Sequence, residues 1–168
     1  MNIDGLPECE ERSMLPPIRL TTQQKELCRR LDLLNQRTIQ GQELSNMFTG
    51  AIFATREESR SNPDWMAQSA HSFREILYPF YKGNFKVKDA FRSYGSATTE
   101  EETFQKSLGT VYGKITDVAH HQLVSIEDYE NLIEDFQRVL LWALDRQVDV
   151  HDQIDKFLSE NKPGKSSK

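Results

Sequence analysis

Asp117-x-x-His120-His121 is the spacing in this chain best suited to chemistry. On a helix, residues three and four apart share a face, so the Asp117 carboxylate could meet either imidazole. A carboxylate beside an imidazole orients the ring and raises its proton affinity, as acid–base catalysis requires. The same residues also fit a plain helix C-terminus, where histidines complement the dipole and cap free carbonyls. A second group, His71, Arg74 and Glu75, lies on an earlier helix. It reads as polar contacts between helices, with Arg74 needing an acidic partner or an anion if half-buried. His71, Glu75, Asp117 and His120 could together form a metal site across two helices. Carboxylate-bridged bundles need paired Glu-x-x-His segments, however, and the chain has none. No metal and no cofactor is therefore expected.

A third group is basic and aromatic. Lys82, Lys86, Lys88 and Arg92 alternate with Phe85, Phe91 and Tyr94. Bases could stack on such rings while the cations hold phosphates, which makes these four the candidate nucleic-acid contacts. Asp89 and the negative charge of the whole chain favour instead a connector whose rings pack back on the fold. Nucleophilic catalysis has little support. Cys9 and Cys28 lie far from any histidine in sequence, and no Gly-x-Ser-x-Gly elbow occurs.

The element that must position these groups is a central helix opening at Asn62-Pro63-Asp64. Asn62 is expected to cap it, Pro63 to take the first helical position and Asp64 to complement the dipole. Met66, Ala70, Phe73, Leu77 and Phe80 recur at steps of four and three, and Trp65, Ile76 and Tyr81 widen that stripe to a core-facing surface. Before it, Thr21 and Gln24 make a capping box for a helix buried through Leu27, Leu31 and Leu34. A second helix is expected from about Thr38 to Arg56, buried through Leu44, Met47, Phe48, Ala51, Ile52 and Thr55.

A fourth helix starts near Thr99 and carries Phe104, Leu108, Val111, Tyr112, Ile115 and Val118. Gly109 and Gly113 on it would let a neighbouring helix approach closely. Ser125-Ile126-Glu127-Asp128 caps the fifth, whose broad face runs from Tyr129 through Phe136 to Leu144. The pattern continues weakly to Leu158, with a bend expected near Asp149. Trp142 and Leu141 fall outside the main stripe and suggest a homodimer through this helix. No strand has a partner to pair with. The fold class is all-α: a bundle of about five helices with a long C-terminal helix, over residues 18–160. Residues 1–17 read as a flexible leader and 161–168 as a disordered tail.

Composition excludes several classes. The chain carries a net charge of −5, so a nucleic-acid site would have to be a local patch. Its two cysteines cannot make a disulfide scaffold. No apolar run approaches a membrane span, and the first residues lack signal-peptide character. These features predict a cytoplasmic protein without a membrane partner.

Three segments carry a family resemblance: residues 70–77 (Ala-His-Ser-Phe-Arg-Glu-Ile-Leu), 113–121 (Gly-Lys-Ile-Thr-Asp-Val-Ala-His-His) and the capped start 125–129 (Ser-Ile-Glu-Asp-Tyr). Over about residues 62–145 their order resembles the HEPN superfamily, named from higher eukaryotes and prokaryotes nucleotide-binding. Residues 62–77 also resemble short bacterial proteins associated with defence systems. Many HEPN proteins are dimeric, metal-independent ribonucleases, toxins or antiviral proteins with an Arg a short step ahead of a catalytic His. The resemblance implies His120 or His121 as base towards a ribose 2′-OH, Asp117 as the polar residue orienting it, and Lys114 or Arg74 countering phosphate charge. The family's Arg is missing. Thr116 lies five residues before His121 and Lys114 six before His120. Lys114 supplies charge without the bidentate fork of Arg. Two readings follow: an RNA-cleaving protein in a defence or toxin–antitoxin setting, or a non-catalytic helical interaction module.

Overall fold

The computed structural model describes residues 18–37, 44–82 and 99–160. Five α-helices account for most of them, and no strand occurs among the described residues. They are α1 (Thr22–Arg37), α2 (Leu44–Ala54), α3 (Trp65–Tyr81), α4 (Thr99–Ala119) and α5 (Ile126–Glu160), with a 3-10 turn at Glu57–Ser59 between α2 and α3. The architecture is the all-α bundle the periodicity predicts. The leader, the tail and the expected start of the second helix at Thr38 lie outside the described residues.

Local chemistry sets the helix starts. Thr21 and Gln24 form the reciprocal box ahead of α1: the Gln24 amide donates to Thr21 Oγ1 at 3.2 Å and the Thr21 amide to Gln24 Oε1 at 3.0 Å. Ahead of α5, the Asp128 amide donates to Ser125 Oγ at 3.0 Å, and that hydroxyl donates to the Asp128 carboxylate at 2.7 Å. Glu100, Glu101 and Glu102 occupy the first turn of α4, where its dipole favours negative charge. The expected cap of α3 differs. Asn62 Oδ1 accepts from the Asp64 amide at 3.0 Å, and the Asn62 carbonyl accepts from the Trp65 amide. Asn62 thus builds a turn, and the helix begins at Trp65. An Asx turn competes with capping because both use the same side-chain oxygen.

Packing follows the stripes. α3 lies against α2, α4 and α5, while α1 packs on α2 and α5. Phe48, Phe73 and Phe136, from α2, α3 and α5, are fully buried and in ring contact, Phe73 and Phe136 at 4.3 Å between centroids. Trp65 meets Tyr129 edge-on at 5.6 Å, and the Tyr129 hydroxyl donates to the Met66 carbonyl at 3.2 Å. Those contacts anchor the start of α3 to the first turns of α5. Arg60 adds a tether there, pairing with Glu130 at 2.7 Å and lying over the Trp65 ring.

Three further expectations change. Met66 is half-buried and Tyr81 exposed, so the stripe of α3 narrows at both ends. Only Gly109 of the two α4 glycines is close to a neighbour, and that neighbour is the Tyr81 ring, 3.4 Å from where a Cβ would stand; at Gly113 a Cβ would meet open space. As the continuing pattern predicts, α5 is a single helix past Asp149 to Glu160; at about 1.5 Å per residue it is about 50 Å long. Trp142 is engaged in part within the chain: it stacks on Phe104 of α4 at 4.7 Å with rings near parallel, and Leu141 packs against the core, both half-buried. The side chains of Val148, Ile154, Phe157 and Leu158 lie beyond those described. No helix among the described residues is long and apolar enough to cross a membrane.

Candidate functional site

The corner where α4 turns into α5 holds Asp117, His120 and His121. The backbone there is a Schellman motif: the Gln122 amide donates to the Asp117 carbonyl at 3.0 Å and the His121 amide to the Val118 carbonyl at 2.9 Å. Such a motif needs a left-handed residue after the last turn, and His121 takes it with φ 65°. Glycine is the usual occupant, because a Cβ in this region clashes with backbone at a cost of about 1–2 kcal/mol. His121→Gly is therefore expected to stabilise the fold by about 1 kcal/mol in chemical denaturation. An unchanged or lower stability would show that the imidazole makes a compensating contact.

The turn separates the expected catalytic pair. No hydrogen bond joins the Asp117 carboxylate to either imidazole among the described residues; Asp117 contributes its carbonyl to the cap instead. His120 is exposed at the end of α4. His121 faces a different acid: its Nδ1 stands 3.9 Å from Oδ1 of Asp64, just before α3, an ion pair when the ring is protonated. Both side chains are largely open to solvent. In sequence Asp64 reads only as a dipole-complementing residue, because its partner comes from the far end of another helix.

Two grooves flank the corner. One, about 290 Å³, is lined by Pro63, Asp64, Trp65, Met66, His121 and Leu123 among others. The second, about 320 Å³, runs between α4 and α5 and gathers Lys114, Asp117, Asp128, Asn131, Leu132 and Asp135. Val118, Gln122 and Val124 line both. His121 and Lys114 thus line neighbouring grooves on two sides of one ridge. Lys114 sits among carboxylates, the wrong company for countering a phosphate. Leu123, which lines the first groove, is 97% exposed, and Ile126 beyond it is 45% exposed. Their one signal in sequence is apolar character at and just before the start of α5, where Val124 is apolar as well.

The remaining candidates lie elsewhere. Arg74 is engaged on its own helix, with Nη2 donating to Glu75 Oε1 at 2.9 Å and 3.3 Å from His71 Nδ1. The expected contact between helices is thus a contact within α3. Lys82 rests its ammonium over Tyr81 and Tyr112, 5.7 and 5.6 Å from the ring centres. Lys86, Lys88 and Arg92 lie outside the described residues. No group of three or more His, Cys, Asp or Glu side chains is placed to hold a metal ion among the described residues.

No family model matches the chain, and no curated protein or solved structure matches it either.

Proposed function

We propose that the protein is a non-catalytic helical interaction module that docks a partner at the corner between α4 and α5. The observation that carries this reading is the 97% exposure of Leu123 directly after the hydrogen-bonded turn that ends α4. Leu123 does not stand alone: it lines a groove with Pro63, Trp65, Met66 and Val124. Two neighbours stand there at local cost. His121 occupies the glycine position, and Asp117 places a carboxylate in the last turn of α4, where the dipole disfavours it. Departures from local rules are expected where a surface serves binding rather than folding. Self-association through α5 is left out of the proposal, because Trp142 and Leu141 are engaged within the chain.

The competing reading, a HEPN-like ribonuclease in a defence or toxin–antitoxin setting, draws on the solvent-open His121 imidazole with the Asp64 carboxylate nearby. Purified protein incubated with a mixed RNA ladder in EDTA separates the two. The expected result is no cleavage, by either the wild type or the His120→Ala, His121→Ala double variant. Cleavage by the wild type that the double variant abolishes would overturn the module reading and establish metal-independent catalysis.

A further inference from the structure

The charge around the Leu123 ridge indicates what kind of partner fits it. The first groove contributes Asp64 to the ridge's surroundings, and the second contributes Asp117, Asp128 and Asp135. Among the described residues, Lys114 is the one lysine or arginine lining either. Asp135 is held by Arg138 and Asp128 by Ser125, whereas Asp117 makes no side-chain hydrogen bond among the described residues. Asp64 shares the first groove with Leu123 and with His121, its ion-pair partner when that ring is protonated, and Asp117 lines the adjoining second groove. Each groove also has apolar wall: Pro63, Trp65 and Met66 in the first, Val118, Val124 and Leu132 in the second.

Resting on the module reading above, we infer that this ridge docks a protein segment combining apolar anchors with lysine or arginine. The anchors pack around Leu123 and into the grooves beside it. The basic side chains reach Asp64 in the first groove and Asp117 in the second. Opposite charges placed in adjoining grooves beside an apolar anchor set register and exclude acidic partners, and the same charges repel the backbone of RNA. The apolar contact supplies most of the holding energy, since rim ion pairs contribute little.

Two substitutions test the site without disturbing the fold. Leu123 contributes almost nothing to the core at 97% exposure, so Leu123→Ala leaves the thermal midpoint unchanged. Asp117→Lys places a cation in the last turn of α4, so it holds or raises the midpoint. The probe is a phage-displayed library of random 12-residue peptides panned on the full chain, with retained peptides synthesised and measured by fluorescence anisotropy. Retained peptides should pair Leu, Ile, Phe or Met with Lys or Arg, and each substitution should weaken them about tenfold or more. Peptides that bind but tolerate both substitutions would overturn the site while leaving the module reading in place. Retention of acidic or uncharged peptides, or of none, would overturn the inferred partner chemistry. A dimer in light scattering that Leu123→Ala dissociates would make a second copy of this chain the occupant and overturn it too. RNA cleavage in the ladder experiment is the separate result that would remove the reading beneath it.

Discussion

Truncating Phe136 to alanine is expected to destabilise the protein by about 3–5 kcal/mol. Phe136 is fully buried on α5 and is the ring that α2 and α3 share: Phe48 stacks on it at 6.2 Å and Phe73 tilts against it at 4.3 Å. Removing the ring forfeits its transfer free energy and opens a cavity whose walls belong to three different helices. Those walls cannot close easily. Each helix is pinned elsewhere, α2 through the Ala51 carbonyl that accepts from Ser69 Oγ, α3 through Trp65 on Tyr129 and α5 through Arg30 of α1 on Asp145. For a domain of this length the thermal midpoint should fall by about 2–4 °C per kcal/mol, so on the order of 10 °C in all. Phe136→Leu, leaving a smaller void, should fall between the two. A loss below about 1 kcal/mol for the alanine variant would mean the three rings do not form the centre of the core.

Alkaline pH should destabilise the wild type more steeply than a Tyr129→Phe variant. Burial pushes the Tyr129 phenol well above its ordinary value, with the Ser69 hydroxyl offsetting part of the shift. A raised value in the folded state means the folded protein holds that proton more tightly than the unfolded chain does. Stability from this group is then fully present below the unfolded value of about 10 and is lost as pH climbs through and beyond it, at about 1.4 kcal/mol per pH unit. At neutral pH the phenylalanine variant should be about 1 kcal/mol less stable, having lost the hydrogen bond to the Met66 carbonyl. By about pH 11.5 that order should reverse, a relative change of about 2 kcal/mol. Urea unfolding of both proteins at pH 9 and 11.5 measures it, and the other tyrosines and the lysines largely cancel in the comparison. A gap that stays constant across this range would contradict a buried, neutral phenol.

Much of the fold was legible because helices declare themselves locally. The Thr21–Gln24 and Ser125–Asp128 boxes involve residues three apart, so four letters suffice to find them. The stripe from Tyr129 to Leu144 is a property of one helix, and all its members are buried. Two details differ for different reasons. Asn62 reads as a cap, but the same oxygen serves a local Asx turn to the Asp64 amide, and the helix starts two residues beyond Pro63. Trp142 reads as a leftover apolar residue on α5, and only α4, which supplies Phe104, makes it a packed one.

The candidate site divides the same way. By itself the sequence determined that Asp117, His120 and His121 sit at a helix end and that five helices bury a common core, because period and capping are local. Only the tertiary structure decided what those residues face. One left-handed residue turns His121 away from Asp117 and towards Asp64, a residue 57 positions earlier in the chain. After the same turn Leu123 stands in solvent, lining the first of two adjoining grooves. Helical spacing governs only residues that remain on the helix; once the chain leaves it, the direction of a side chain follows the turn, and its neighbours follow the packing of α3, α4 and α5.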